Sequence, residues 1–196
     1  MSQAHAASPL APPTAPPISV RDNWWVLVAL ALLVAAIVSH SLWFLNGLHV
    51  FAGLLWTGTD LFMGFVLGPI LGRVDPAARR AILLRLTPRM LFFMPTVSIV
   101  TTTAGWFLAS DFGFLNVPFP QRWWIVAAFV IAGLLVVQGL GILLPTNLRI
   151  YFELRRDQPD IEKIRGMTRR YFGVIAFQGV LQVAIIAVMA RMATGF

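Results

Sequence analysis

Four residues within the stretch 48–62 combine chemically useful side chains with helical spacing. His49, Gly53, Trp56 and Asp60 follow one another at steps of four, three and four residues, so a helix places them along one face. An imidazole can serve as an axial ligand of haem b or as a ligand of copper. Trp56 could pack against a macrocycle, and Gly53 leaves room beside the imidazole for a flat ligand or for a close helix.

Asp60 is the one formal charge between residues 23 and 72. At ~1.5 Å per residue it lies roughly 16 Å further along the helix than His49, which places it near the middle of a membrane. A central aspartate costs ~2.5–3.5 kcal/mol on insertion scales, so it should face the interior of a bundle and be protonated, paired or hydrated. Two interpretations stay open: a packing device, in which a neutral Asp60 is hydrogen-bonded to Thr or Gln of another helix, and a proton relay or ion site. The expected hydrogen-bond partners are Thr101, Thr102, Thr103, Gln138, Gln178 and Gln182.

Several other candidate ligands are expected at the same level of the bundle as His49. His40 or a methionine near the end of the chain would supply a second axial ligand of a haem, and arginines at this level would suit the haem propionates. The same imidazole and thioether groups suit copper, whereas the methionines could equally be packing groups. The residues expected at this level are His40, Arg122, Met189, Arg191 and Met192.

The composition is that of an integral membrane protein. Hydrophobic residues make up 58% of the 196 residues and charged residues only 12%, against about 25% in soluble domains. The absence of cysteine excludes disulfides, iron–sulfur clusters and covalently attached c-type haem. The net charge of +7 comes from basic residues in the links between apolar runs, which indicates membrane topology rather than a nucleic-acid partner.

The apolar runs predict an all-α bundle of five transmembrane helices. Residues 1–22 are rich in Pro and Ala and are expected to form a disordered tail, so the bundle occupies 23–196. The turn signal Asn46-Gly47 separates the first two spans, and an amphipathic segment is expected at 73–89. The predicted spans are about 24–42, 47–71, 89–110, 123–147 and 170–192.

The basic residues predict the orientation of the bundle. The link 73–89 holds five Arg and the link 149–170 holds seven basic residues, whereas the opposite side has only Arg122 and Arg191. Both basic links should therefore be cytoplasmic, with the N-terminus on the cytoplasmic side of a bacterial-type plasma membrane. Membrane lipid is then expected to surround the bundle. Gly64, Gly68 and Gly72 have a spacing that permits tight packing within or between subunits.

The string LHVFAGLLWTG at 48–58 resembles a family signature, H-x6-W-x-G. It is similar to the first histidine helix of the membrane superfamily that holds copper-resistance D proteins, HemJ-type protoporphyrinogen oxidases and the membrane domain of membrane-bound urate oxidases. The resemblance implies a small helical bundle and, from the HemJ-type proteins, haem b held by the signature histidine, here His49, with Trp56 and Gly58 completing the motif. The next residues, DLFMGFVLGPILG, lack the further His of the HemJ-type pattern, and the chain lacks the Cys-x-x-Cys-His site of the urate oxidases.

These observations together predict a membrane redox protein with haem b in the outer half of the bundle. It would act as a small oxidoreductase or as an electron-transfer subunit, alone, as a homo-oligomer or within a respiratory-type complex. The alternatives are a HemJ-like protoporphyrinogen oxidase, a copper-handling protein, and a structural subunit of a larger membrane complex in which His49 and Asp60 serve packing alone.

Overall fold

The computed structural model describes residues 21–156 and 158–195, and it is built from five long helices. These are α1 (Arg21–Val38), α2 (Leu42–Arg73), α3 (Pro76–Asp111), α4 (Arg122–Leu154) and α5 (Ile161–Ala193). Each is long and apolar enough to cross a membrane, and no strand is present among the described residues. The prediction of five helices of this kind is confirmed. The predicted tail lies outside the described residues as far as residue 20, and Arg21 and Asp22 form the first turn of α1.

The break between α1 and α2 falls earlier than the sequence predicted. α1 ends at Val38 rather than near 42, and α2 begins at Leu42 rather than near 47. The side chain of Ser41 accepts a hydrogen bond from the backbone N–H of Phe44 and so caps α2, while His40 turns the chain with a positive φ of 51°. The pair Asn46-Gly47, predicted to be a turn, lies inside α2.

Three helices extend well beyond their apolar parts at the end of the bundle that carries the basic links, called here the basic end. α3 begins at Pro76, so the predicted amphipathic segment 73–89 is not a separate element: Arg73 ends α2, and residues 76–89 form the first turns of α3. α4 continues through Pro145 to Leu154, and α5 begins at Ile161, where Asp160 caps it. Hydropathy locates the apolar part of a helix, whereas the helix itself continues into its charged turns.

Arginines of α3 close the basic end by capping other helices. The Arg79 guanidinium donates to the backbone oxygens of Leu71 (2.6 Å) and Gly72 (3.1 Å) at the end of α2. Arg80 donates to the oxygens of Leu154 (2.9 Å) and Arg156 (3.1 Å) at the end of α4. The last carbonyls of a helix have no partner within it, so these basic residues stabilise helix ends as well as marking the links.

The helices pack around three buried clusters at successive depths. The cluster furthest from the basic end joins α1, α2 and α3 around residues such as Ala36, Ala52 and Ala104. The middle cluster joins α2, α3 and α4 through Trp56, Val97 and Leu135. The third cluster lies at the basic end and joins α3, α4 and α5. Most other side chains in the spans are exposed, as expected for surfaces that face lipid.

The small residues of α2 serve contacts within this chain. A methyl group added at Gly68 would lie 2.9 Å from Cε1 of Phe172 on α5, and one added at Gly64 would lie 3.6 Å from Ile175. A methyl group added at Gly72 would meet nothing within 4 Å. Only Gly68 of the three therefore has to be glycine for α2 and α5 to approach closely, because 3.6 Å is an ordinary contact distance.

Candidate functional site

His49 is held against α3 by a hydrogen bond that determines which ring nitrogen carries the proton. Its Nδ1 lies 2.8 Å from the backbone oxygen of Thr101. A carbonyl oxygen only accepts hydrogen bonds, so Nδ1 must donate and the neutral ring keeps a lone pair on Nε2. In most metal-ligating histidines, the ring nitrogen that does not bind the metal donates such a hydrogen bond and so orients the ring. The imidazole is therefore prepared to act as a ligand through Nε2.

Two glycines shape the surroundings of this ring. A methyl group added at Gly105 of α3 would lie 2.8 Å from Cε1 of His49, so only glycine leaves room for the imidazole there. The sequence analysis did not identify Gly105, although its spacing of four from Thr101 is a helical signal. A methyl group added at Gly53 would lie 3.5 Å from Cγ2 of Thr101, so α3, not open space, lies beside this glycine.

Trp56 lies in the core of the bundle and is only 5% exposed. It packs with Val97 of α3 and Leu135 of α4, and it also lines a small internal cavity beside Asp60. This tryptophan therefore lies in the core at the level of the cavity, beside Asp60.

Asp60 is 4% exposed and is hydrogen-bonded to α5. Nε2 of Gln178 donates to its Oδ2 at 2.6 Å, and Nε2 of Gln182 donates to the same oxygen at 2.8 Å. Both glutamines belong to the set of Thr and Gln residues predicted to partner Asp60, and that prediction is confirmed. Within 21–156 and 158–195, the ion pairs involve Glu153, and none reaches Asp60.

A cavity of about 40 Å³ adjoins Asp60 in the interior of the bundle. This volume holds a few water molecules or a small ion, because one water needs roughly 10–15 Å³ on this measure. Three methionines that the sequence analysis did not identify, Met63, Met90 and Met94, line it. Met90 and Met94 are four residues apart on α3, so their spacing could have indicated a shared face. Its side-chain lining includes Trp56, Thr59, Asp60, Met63, Met90, Met94, Ser98, Asn147, Tyr171 and Gln178.

Three irregularities of the helices meet at this cavity. α2 is π-helical at Phe62–Leu67, directly after Asp60, and α4 is π-helical at Val137–Leu143. Both segments contribute lining residues, as does Pro95 inside α3. π-helical turns are frequent at functional sites, and a proline releases a backbone oxygen from the helix ladder. The backbone beside the cavity therefore departs from regular α-helix in α2 and α4, and α3 contributes a proline within a continuous helix.

Two buried oxygens of residues that line the cavity have no hydrogen-bond partner. These are Oγ of Ser98, a residue 3% exposed, and Oε1 of Gln178, a residue 0% exposed. Nearby, the Asn147 amide donates to the hydroxyl of Tyr171 at 3.1 Å. Unpartnered buried oxygens are uncommon in proteins and mark a place where a ligand or an ion can bind.

A wider groove on the surface of α2 and α3 adjoins the cavity. It encloses about 380 Å³ and is lined mainly by apolar side chains, including Leu55, Phe62 and Phe93. Thr59, Met63 and Met90 line both spaces. His49 lines neither.

The remaining predicted ligands are not joined to His49 by any hydrogen bond or ion pair that the structure gives within its described ranges. His40 is exposed in the turn between α1 and α2, and Arg122 is exposed with its guanidinium 5.8 Å from the centre of the Phe119 ring. Arg191 is exposed, whereas Met189 and Met192 are partly buried. The described part of the chain also contains no group of three or more His, Cys, Asp or Glu side chains that could hold a metal ion.

No family model, curated protein or solved structure matches this chain. Its resemblance to the histidine-helix superfamily is therefore carried by residues 48–58 alone.

Proposed function

We propose that this protein is a multi-pass membrane redox protein that binds haem b with His49 as an axial ligand. The observation that carries the proposal is the hydrogen bond from Nδ1 of His49 to the Thr101 carbonyl, which leaves Nε2 free to bind iron. The motif around His49 supports the same ligand. A ferrous or ferric haem would supply one-electron transfer, which suits a small oxidoreductase or an electron-carrying subunit of a larger complex.

The residues around His49 fit this group in their chemistry. The imidazole is oriented by its hydrogen bond to Thr101 and is half-buried, which are properties of an axial haem ligand. His49 would hold the haem through Nε2, and α3 borders the ring at Gly105. His40, Met189 and Met192 stay as candidates for the second ligand, and Arg122 and Arg191 as candidates for the propionates.

A reduced-minus-oxidised spectrum of the purified protein tests the proposal. We expect a b-type spectrum that is lost or strongly shifted in His49→Ala, while His5→Ala keeps it. His40→Ala tests the second ligand, because loss of that ligand would change a six-coordinate spectrum to a five-coordinate one. A native spectrum in His49→Ala would contradict the ligand assignment.

The same preparation distinguishes the other functions. Copper without haem, lost on substitution of His40, His49, Met189 or Met192, would favour copper handling. Protoporphyrinogen-dependent turnover with bound haem would favour a HemJ-like oxidase. Neither metal nor haem, in protein that keeps its fold, would favour a structural subunit.

A further inference from the structure

The carboxylate of Asp60 is surrounded in a way that stabilises a negative charge but does not balance it. Two amide N–H groups, from Gln178 and Gln182, point at the single oxygen Oδ2. The other oxygen, Oδ1, makes no hydrogen bond with the described part of the chain. No basic side chain of the described ranges pairs with it. An ionised carboxylate at this depth needs a positive partner.

The cavity beside Asp60 offers oxygen atoms that lack partners. Ser98 Oγ on α3 and Gln178 Oε1 on α5 are unpartnered, and both residues line the same space as Asp60. Because both Gln178 and Gln182 turn their amide nitrogens toward Asp60, their carbonyl oxygens are directed elsewhere and remain available. Pro95 also lines the cavity and frees the backbone oxygen of residue 91 from the helix ladder.

We propose that this cavity binds Na⁺, with Asp60 Oδ1, Gln178 Oε1 and Ser98 Oγ as oxygen ligands. A small hard cation supplies the missing positive charge and accepts lone pairs from oxygens that nothing else in the described chain uses. Membrane proteins commonly hold Na⁺ near mid-membrane, where helices are interrupted and oxygens face a cavity. A monovalent cation such as Na⁺ can be balanced by a single carboxylate. The site therefore does not need a larger cluster of acidic or histidine side chains, and the described residues contain none.

The volume of this cavity excludes an organic ligand, and its unpartnered atoms favour a hard ion over a soft one. About 40 Å³ accommodates an ion with a few waters, but not an organic ligand, whose sites are typically about 300–1,000 Å³. Met63, Met90 and Met94 would suit a soft ion such as Cu⁺ or Ag⁺. Thioether sulfur has no strong need for a partner, however, whereas the atoms left without one are oxygens. The site is independent of haem binding by His49.

Thermal unfolding of the purified full-length chain tests the proposal at constant ionic strength, with NaCl replaced stepwise by choline chloride. An ion that binds the folded state raises the midpoint in proportion to the logarithm of its concentration once the site is filled. We expect Na⁺ to raise the midpoint of the wild-type protein, with choline chloride and KCl having a smaller effect. Direct binding of ²²Na⁺ to the same protein should saturate at one ion per chain.

Two variants locate the ion, and a third is the control. Asp60→Asn keeps the shape and hydrogen bonding of the side chain but removes the charge, so we expect at least a tenfold loss of Na⁺ affinity. Ser98→Ala removes one ligand and should weaken binding severalfold, whereas Ser110→Ala, the same change at an exposed position of α3, should have no effect.

Several outcomes would overturn the proposal. A wild-type midpoint that does not depend on Na⁺, together with no ²²Na⁺ binding, would show that the cavity holds water or that Asp60 carries only a proton, as in a relay. Equal Na⁺ dependence in Asp60→Asn would place the ion elsewhere. Stabilisation by Ag⁺ that is lost in Met94→Leu, without an effect of Na⁺, would assign the cavity to a soft metal. A haem spectrum retained in each case would leave the function proposed for His49 standing.

Discussion

At the scale of single residues, hydrogen-bond geometry explains how polar groups are accommodated inside an apolar bundle. His49 uses a backbone oxygen of α3 as its acceptor, and Asp60 uses two side-chain amides of α5. The neutral arrangement at His49 needs no charged partner, whereas the two amides stabilise the Asp60 carboxylate without balancing its charge. Gly105 makes the first arrangement possible, because its missing side chain is the space in which the imidazole lies.

Gly105→Ala should therefore destabilise the protein by disturbing His49. The added methyl group would lie 2.8 Å from Cε1, so the ring or α3 must move, and overpacking of this kind typically costs about 1–3 kcal/mol. Gly47→Ala, in open surroundings on α2, is the control and should have little effect. In a His49→Ala background the cost of Gly105→Ala should largely vanish in unfolding measurements. An unchanged cost there would show that the ring is not what the methyl group meets.

At the scale of the helices, the sequence predicted the number and order of spans but misplaced several of their ends. Apolar runs identify membrane-crossing helices well, since lipid requires such composition. They say little about helix ends, which here depend on Ser41, Asp75 and Asp160 as caps. The local pattern of Asp60 also predicted its type of partner. The π-helical segments and the cavity could not be predicted, because they depend on how α2, α3 and α4 fit together.

The contact of α2 with α5 can be tested by two matched substitutions. Gly68→Ala places a methyl group 2.9 Å from Phe172, so we expect it to lower the stability of the folded protein by about 1–3 kcal/mol. Gly72→Ala, one turn further, meets nothing within 4 Å and should be neutral or slightly stabilising, because alanine favours helix over glycine. Thermal or denaturant unfolding in detergent measures both. Equal effects of the two changes would indicate that this face of α2 packs differently.

At the scale of the whole molecule, the distribution of arginine and lysine predicts which face is cytoplasmic. The link between α2 and α3 and the link between α4 and α5 lie at the same end of the bundle, where Arg79 and Arg80 cap neighbouring helices. The bundle therefore has one strongly basic end, and the positive-inside rule places it in the cytoplasm. The orientation stays a prediction.

Reporter fusions test this orientation directly. Fusions after Arg85 and near Arg156 should both report a cytoplasmic location, and a fusion after Phe196 should report the opposite side, because α5 alone crosses the membrane between Arg156 and Phe196. Opposite locations for the two basic links would contradict the arrangement of helices, whereas a reversal of all three results would contradict only the direction of insertion.

The unequal lengths of the helices give the particle two different faces. α1 has 18 residues and a length of roughly 27 Å, close to the ~30 Å of a hydrocarbon layer, whereas α3 has 36 residues and reaches roughly 54 Å. Because the surplus turns are at the end that carries the guanidinium caps, that face should rise roughly 15–20 Å above the bilayer. In side views of single particles in lipid nanodiscs, the molecule would then protrude little from one face of the bilayer and clearly from the other. This protrusion alone would identify the orientation of the small protein in each image, with no label or antibody attached.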